Sequence, residues 1–176
     1  MTKLAILDRD GTIIHEPPGR SAQRPSEIEI LPGAIVGITL LQQAGFVICV
    51  ATNQPGPAKG ECSEADVHDT NAALVMRLER YGVRVGGVWT CLHHPSVSAC
   101  ECRKPKPGLL LAALAEHGAN PARSWMIGNG ITDRDAGLAA GMRATLVTSI
   151  PDVIECGGPD LAAIANNIIR LGDLAP

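Results

Sequence analysis

Close to its start the chain reads Leu4-Ala5-Ile6-Leu7-Asp8-Arg9-Asp10-Gly11-Thr12, and this stretch decides the fold. Its first four residues are a short, wholly apolar run, typical of a parallel-sheet strand that is buried on both faces. Asp8 ends the run abruptly. Because open α/β sheets carry their chemistry at the carboxyl ends of the strands, we expect Asp8 and Asp10 to lie at the functional edge of a sheet.

Four further apolar segments, at about 46–51, 88–90, 125–127 and 144–147, predict strands in the rest of the chain. Segments of helical pattern alternate with them, at about 33–44, 64–81, 107–117, 132–140 and 161–171. Strands that alternate with helices indicate an α/β fold, a Rossmann-like three-layer sandwich with a central parallel sheet. Without a repeat or a low-complexity linker, the sequence predicts a single domain over residues 1–176.

Composition excludes several classes of function. A net charge of -3 and an aromatic content of 2% offer neither a basic surface nor stacking platforms, so no nucleic acid is expected as a partner. No apolar run approaches the roughly 20 residues of a membrane span, and the run before Asp8 is too short for a signal peptide. We therefore expect no membrane partner, a cytoplasmic location and a monomer. Six cysteines, three of them within twelve positions, indicate metal binding rather than a disulfide framework.

Asp8 and Asp10 form the pair that predicts chemistry. In an extended backbone, side chains at i and i+2 point to one side, so the two carboxylates can hold a divalent cation while one attacks and the other moves a proton. An isolated pair of this kind is more often a capped turn. Here a hydroxyl, a cation and a polar loop follow in order, at Thr52-Asn53-Gln54, Lys104 and Gly128-Asn129-Gly130-Ile131-Thr132-Asp133. Together they are what phosphoryl transfer requires around a carboxylate nucleophile.

With these four motifs the chain resembles the haloacid dehalogenase-like phosphatases, and over nearly its full length the branch of the heptose bisphosphate and histidinol-phosphate phosphatases. The resemblance implies that Asp8 attacks phosphorus to form an aspartyl phosphate, while Asp10 protonates the leaving alcohol and later activates water. It implies that Thr52 and Lys104 hold the phosphoryl group, and that Arg103, with Asn53 and Gln54, contacts the substrate. The 12–46 stretch is too short for the large cap domain of many relatives, so an open site is expected.

The resemblance also implies a catalytic Mg²⁺ on the first aspartate (Asp8), the backbone carbonyl of Asp10 and an aspartate of the fourth motif. At that last position this chain has Asn129, and Asp133 is a secondary member of the same motif. An amide oxygen can coordinate magnesium, but it brings no charge. Three explanations stay open: weaker metal binding, lost activity, or a sequence altered to keep a bound substrate intact.

A second metal site is indicated by Cys91, His93, Cys100 and Cys102, two pairs of C-x-[HC] form separated by six residues. Three thiolates and one imidazole make a closed tetrahedral set, which is typical of structural Zn²⁺ rather than a catalytic metal. The spacing is unlike that of ordinary zinc fingers, but the resembled branch carries such a loop. Its C-x-H-H-P pattern favours His93 over His94 as the ligand, and we expect the zinc loop to span 91–102.

The choice of sugar phosphate depends on the loops. The 53–60 loop, N-Q-P-G-P-A-K-G, resembles that of the heptose enzymes, whereas Glu16-Pro17-Pro18 resembles the histidinol-phosphate enzymes. Hydrolysis of D-glycero-D-manno-heptose 1,7-bisphosphate, in heptose biosynthesis, is therefore the predicted function. Histidinol phosphate as substrate and a catalytically impaired sugar-phosphate-binding protein are the alternatives. Four basic residues are candidates for holding a second phosphate, namely Arg24, Lys59, Arg103 and Lys106. The cleaved phosphate and the preferred anomer stay open.

Overall fold

The computed structural model describes residues 1–94, 96, 99–148 and 156–173. Five parallel strands form one sheet in the order β3-β2-β1-β4-β5. The strands are β1 (Leu4–Leu7), β2 (Val47–Asn53), β3 (Val85–Cys91), β4 (Trp125–Gly128) and β5 (Arg143–Leu146). The α-helices are α1 (Ala34–Gln43), α2 (Glu64–Glu79), α3 (Gly108–Glu116), α4 (Ile131–Ala139) and α5 (Leu161–Asp173). The predicted α/β class and parallel sheet are confirmed.

Two cores sandwich the sheet, and the alternation of side chains along β1 shows how. Ala5 and Leu7 face the core formed with α1, α2 and α5, whereas Leu4 and Ile6 face the core formed with α3 and α4. All four side chains are fully buried, and burying a side chain such as leucine or isoleucine contributes roughly 1.5–3 kcal/mol. The three-layer arrangement follows, with β1 at its centre.

Two strands, β2 and β3, differ from their predicted bounds by more than one residue at one end. β2 extends past residue 51 because Thr52 and Asn53 continue its ladder, pairing with Thr90 and Cys91 of β3. Likewise β3 begins at Val85, three residues early, and the ladder passes an irregularity between Ile48 and Cys49. Apolarity marks the buried part of a strand, whereas backbone pairing continues through polar residues. The consequence is that polar residues of β2 reach the sheet edge beside the Cys/His segment.

A capping box begins α2. Ser63 Oγ accepts a hydrogen bond from the Asp66 amide at 3.0 Å, and Asp66 Oδ2 accepts one from the Ser63 amide at 2.8 Å. Such a box satisfies two of the amide groups that a helix start leaves without partners. It fixes the start of the helix that carries Asn71.

The segment between β1 and α1 is short and irregular. It contains one 3₁₀ turn, Pro25–Glu27, and isolated bridges that join Asp10 to Ile14 and Ile14 to Ile30. The Arg20 guanidinium donates to both carboxylate oxygens of Glu27, at 2.9 and 2.6 Å. This segment is too small to form a large cap domain, as predicted. Within the described parts of the chain, no helix has the length and apolarity to cross a membrane.

Candidate active site

The carboxyl edge of the sheet carries an open cleft of about 370 Å³, within the range of roughly 300–1,000 Å³ that is usual for small-molecule sites. Asp8 follows β1, Asn53 ends β2 and Asn129 follows β4, so neighbouring strand ends bring these residues together. The cleft is lined by carboxylates, cations and polar groups; those of the predicted site are Asp8, Asp10, Thr52, Asn53, Gln54, Arg103, Lys104, Asn129 and Asp133. These nine residues thus line one cleft. Of the four candidates for holding a second phosphate, Lys59 and Arg103 line it, whereas Arg24 and Lys106 are not among its lining residues.

Lys104 lies at the centre of a buried ion triad. Its Nζ is 2.7 Å from Asp8 Oδ1 and 2.6 Å from Asp133 Oδ1, and it also donates to the Ala51 carbonyl at 2.6 Å. The side chains of Lys104 and Asp133 are almost completely buried, and that of Asp8 is 13% exposed. Asp133 Oδ2 accepts a hydrogen bond from the Gly130 amide. The cation is therefore fixed directly beside Asp8.

Burial and neighbouring charges act in opposite directions on this triad. Burial raises the pKa of Asp8 to about 6, with Lys104 opposing the rise and Asp133 adding to it. Burial lowers the pKa of Lys104, but the carboxylates of Asp8 and Asp133 outweigh it and leave that pKa above its ordinary value. Lys104 is therefore a permanent positive charge at neutral pH, suited to stabilising a transferring phosphoryl group.

Asp10 is held by hydrogen bonds to both of its carboxylate oxygens. Oδ2 accepts from Arg9 Nε at 2.9 Å and from Gln54 Nε2 at 2.8 Å, while Oδ1 accepts from the Ala22 amide at 2.7 Å. Gln54 is almost completely buried and donates also to Thr52 Oγ1 at 2.7 Å. Gln54, predicted to contact substrate, is thus part of the network that orients Asp10 and Thr52.

Asn53 fixes the backbone at Lys104. Its Oδ1 accepts from the Lys104 amide at 3.1 Å, and its Nδ2 donates to the Lys104 carbonyl at 3.0 Å. The neighbouring Arg103 lines the cleft with a buried Nη1 that has no hydrogen-bond partner in the described part of the chain. A buried guanidinium nitrogen without a partner favours an anionic or hydroxyl-bearing ligand, because leaving it unsatisfied is costly.

Asn129 is exposed and lies against the backbone of Gly11. A Cβ added at Gly11 would meet the Asn129 side-chain amide, and the φ of +72° at Gly11 is a conformation that favours glycine. The Asn129 amide is therefore next to the peptide that follows Asp10. It lines the same cleft as Asp8 and Asp10.

The four predicted zinc ligands also come together. Their ligand atoms all lie within 4.8 Å of one another. His93 Nδ1 is 3.5 Å from Cys91 Sγ and 3.2 Å from Cys102 Sγ, and the Cys91 and Cys100 sulfurs are 3.9 Å apart. Tetrahedral zinc with bonds of about 2.3 Å to sulfur spaces its ligands by roughly 3.8 Å, which these distances fit. His94 is directed elsewhere, since its Nδ1 accepts from the Ser96 amide.

Known proteins resemble the chain in sequence. Residues 101–149 match the family model described as HAD-hyrolase-like. A D-glycero-beta-D-manno-heptose-1,7-bisphosphate 7-phosphatase of Pseudomonas putida is 35% identical, over 95% of this chain and 99% of the relative. The chain belongs to the haloacid dehalogenase-like phosphatases. The D-glycero-beta-D-manno-heptose-1,7-bisphosphate 7-phosphatase of Pasteurella multocida is 32% identical to this chain, over 99% of this chain and 97% of the relative.

Solved structures of haloacid dehalogenase-like phosphatases have the same architecture. The D,D-heptose 1,7-bisphosphate phosphatase of B. bronchiseptica, complexed with magnesium and phosphate, superposes with a TM-score of 0.83 at 28% identity, over 97% of this chain and 99% of its own. A HAD-like phosphatase from Mesorhizobium loti superposes with a TM-score of 0.84 at 26% identity, over 99% of this chain and 88% of its own. The resemblance inferred from the four motifs is thereby confirmed.

Sequence reasoning missed two residues beside the site. Arg9 lies between the two aspartates of the first motif, and Asn71 lies on α2; both are buried. Arg9 Nη1 donates to Asn71 Oδ1 at 2.7 Å. An arginine inside an otherwise acidic motif was the available signal for Arg9, but Asn71 is 62 positions away and no spacing rule points to it.

Proposed function

We propose that the protein hydrolyses the 7-phosphate of D-glycero-β-D-manno-heptose 1,7-bisphosphate through an aspartyl-phosphate intermediate. The observation that carries the proposal is the contact of Lys104 with Asp8, a cation and a carboxylate at 2.7 Å in a cleft at the sheet edge. Relatives named as 7-phosphatases of this sugar are 35% and 32% identical over nearly the whole chain, which supports the substrate.

In the first half-reaction, a carboxylate oxygen of Asp8 attacks phosphorus while the bond from phosphorus to the sugar oxygen breaks. The carboxylic acid of Asp10 gives its proton to the leaving sugar oxygen, so the products are an alcohol, the aspartyl phosphate and the Asp10 carboxylate. Lys104 and the hydroxyl of Thr52 interact with the oxygens of the transferring group. Thr52 is buried and accepts a hydrogen bond from Gln54, which leaves its own hydroxyl proton available for donation.

In the second half-reaction, the Asp10 carboxylate takes a proton from water and the resulting hydroxide oxygen attacks phosphorus. The bond between phosphorus and Asp8 breaks, which releases inorganic phosphate and restores the Asp8 carboxylate and the protonated Asp10. Asp10 thus acts as acid and then as base, and its two held oxygens keep it in place for both steps.

A magnesium ion would be held by the Asp8 carboxylate, the Asp10 backbone carbonyl and the side-chain oxygen of Asn129. These are oxygen donors, as Mg²⁺ requires, and Asn129 supports the proposal because it lies against Gly11 and lines the same cleft as Asp8 and Asp10. When bound, the ion would neutralise charge on the phosphoryl oxygens. Asp133 is committed to Lys104 and the Gly130 amide and so serves to position the lysine.

A zinc ion on Cys91, His93, Cys100 and Cys102 would be structural, because four protein ligands leave no open position. This site lies in the chain just before Arg103 and Lys104, and the Cys91 carbonyl accepts from the Gln54 amide at 2.7 Å. The role we infer for zinc is to hold the segment that carries Arg103 and Lys104. Single-domain organisation over 1–176, a monomeric state and a cytoplasmic location stay predictions.

A catalytically impaired sugar-phosphate-binding protein is the second candidate, and the neutral Asn129 at a metal position is the observation that favours it. In that case the cleft, with Arg103 and Lys104, binds the phosphate without turnover.

Phosphate release separates these candidates. Wild-type protein and Asp8→Asn are assayed with heptose 1,7-bisphosphate, histidinol phosphate and p-nitrophenyl phosphate, each with and without Mg²⁺. The proposal expects magnesium-dependent release that is fastest from the heptose and absent in Asp8→Asn. Release from histidinol phosphate alone contradicts the substrate, and calorimetric binding of the heptose without release supports the impaired reading.

A further inference from the structure

We propose that Arg9, itself held by Asn71, is a positioning residue that fixes Asp10 for proton transfer to the leaving group. The proposal rests on the proposed function, which makes Asp10 the acid. Arg9 is the largest of the fully buried side chains, with none of its surface exposed. A buried guanidinium is retained only where charged or polar partners compensate its lost hydration, so its partners indicate its role.

The Arg9 guanidinium contacts both oxygens of Asp10. Its Nε donates to Oδ2 at 2.9 Å and its Nη2 lies 3.5 Å from Oδ1. Nη2 also donates to the Ala22 carbonyl, while the Ala22 amide donates to Asp10 Oδ1 at 2.7 Å. The three residues therefore form a closed ring of hydrogen bonds that ties Asp10 to the segment above the cleft.

This ring restricts a motion that an aspartate otherwise has. The final torsion of an aspartate side chain is broad and samples many angles, whereas a general acid must meet its acceptor within hydrogen-bond reach. Two fixed donors on one planar guanidinium set the plane of the carboxyl group as well as its distance. Gln54 reaches only Oδ2, so it cannot set that plane alone.

Asn71 in turn sets the guanidinium. Its Oδ1 accepts from Arg9 Nη1 at 2.7 Å, and its Nδ2 donates to Thr90 Oγ1 at 3.0 Å. Because the Thr90 hydroxyl engages the amide nitrogen, the amide oxygen is turned toward Arg9. Asn71 is only 6% exposed, so solvent does not readily replace this contact. The orientation of Asp10 thus depends on a residue of α2 that does not line the cleft.

A purely structural arginine offers the matched comparison. Arg77, also on α2, donates to the backbone carbonyls of Ile28 and Pro25, close to the segment that Arg9 reaches at Ala22. It is half-buried and lies away from the residues that line the cleft. Arg77→Met therefore removes a similar anchor without touching Asp10.

The test compares kcat/KM for two classes of leaving group in wild type, Arg9→Met, Asn71→Leu and Arg77→Met. This constant covers the steps up to formation of the aspartyl phosphate, and only a poor alkoxide leaving group needs the proton of Asp10 there. We expect Arg9→Met to lower kcat/KM about 100-fold or more for the sugar phosphate but less than 10-fold for p-nitrophenyl phosphate, following the usual share of general acid catalysis. Arg77→Met should lower both by one small, common factor.

Two substitutions of Asn71 test the same role in case Arg9→Met does not fold, and one of them is conservative. Asn71→Leu should reproduce the selective loss in part, whereas Asn71→Asp keeps an acceptor for Arg9 and should restore the sugar phosphate rate to within about 3-fold of wild type. Equal losses on both substrates in Arg9→Met and Asn71→Leu, or no loss in either, would overturn the proposal.

A measurement without turnover separates this inference from the proposed function. Hydrogen exchange of the Ala22 amide, which donates to Asp10, should become at least 10-fold faster in Asn71→Leu and Arg9→Met but not in Arg77→Met. If wild type releases no phosphate from any substrate, the proposed function is wrong. Hydrogen exchange of the Ala22 amide still shows in that case whether Arg9 holds Asp10. Unchanged exchange in both variants counts against the positioning role.

Discussion

Replacing Asn129 with aspartate should strengthen magnesium binding and increase turnover. The existing carboxylates are largely committed to other groups, since Asp133 and Asp8 contact Lys104 and Asp10 contacts Arg9. Asp8 and Asp133 therefore share one buried cation and Asp10 is held by another, so little of their negative charge is left for a divalent ion. Asn129 lies against Gly11, and in the magnesium site proposed above a carboxylate at this position would meet the ion directly.

Coulomb's law sets the size of the effect. A single negative charge about 3 Å from a divalent cation contributes roughly 3 kcal/mol at a dielectric of about 80, the value suited to an exposed residue. Lost hydration and repulsion from Asp8 reduce this to about 1.5–3 kcal/mol, or roughly 10- to 100-fold in the dissociation constant of Mg²⁺. Wild type should consequently require about 10- to 100-fold more Mg²⁺ than Asn129→Asp for half-maximal activity.

The assay is a magnesium titration of phosphate release at fixed sugar phosphate, with isothermal calorimetry of Mg²⁺ binding as a second readout. Thr132→Asp is the matched control, because Thr132 is exposed and lines the same cleft but does not contact Gly11. We expect it to change the magnesium requirement less than about 3-fold, as screened surface charges do. An equal gain in both variants, or no gain in Asn129→Asp, would refute the assignment of Asn129 to the metal.

Three further predictions concern stability. Lys104→Met should lower the free energy of unfolding by about 3–5 kcal/mol, because it leaves two buried carboxylates uncompensated. Adding Asp133→Asn to the same chain should recover part of this loss. Urea unfolding followed by tryptophan fluorescence measures the loss, and a value below about 1 kcal/mol contradicts the prediction. Cys100→Ser, or zinc removal, should lower Tm by roughly 6–12 °C, because a 91–102 loop that no metal closes loses about 3 kcal/mol of stabilisation. Scanning calorimetry combined with zinc analysis tests this prediction. Protein purified without zinc that has the same Tm argues against it. Glu27→Gln should cost about 1 kcal/mol near pH 7, a figure discounted for the exposure of Arg20. The hydrogen bond from Arg20 lowers the pKa of Glu27 to about 2, so this stabilisation is present above pH 4.5 and should be lost as the pH falls toward 2. A difference in free energy of unfolding between variant and wild type that stays constant over that pH range speaks against the prediction.

The sequence predicted the sheet and the cleft because the signals for them are local. An apolar run that ends in charge marks both a strand and its functional end, as Leu4–Leu7 followed by Asp8 illustrates. Lys104 and Asn129 were identified by motif order, and strand topology then brings them to one edge. The Cys/His segment was predicted from ligand chemistry and spacing.

What the sequence could not predict depends on contacts between distant residues. The Arg9–Asn71–Thr90 connection needs the packing of α2 against β3, which no periodicity encodes. The burial of Gln54 was missed because a polar residue in a loop usually faces solvent, whereas here it turns inward to reach Asp10. Polar extension of β2 escaped prediction for the same reason, since ladder pairing is not visible in hydropathy.

The strand order also determines how the protein has to be made. β1 is the central strand, yet its second neighbour, β4, pairs Ala5 with Trp125, far along the chain. A ribosome-bound chain thus holds β1 and β2 with one open, apolar edge until more than two thirds of the protein has been synthesised, and open edges of this kind promote aggregation. Folding should accordingly be slow to complete and sensitive to truncation before residue 128. The chain should need chaperones until β4 pairs with β1.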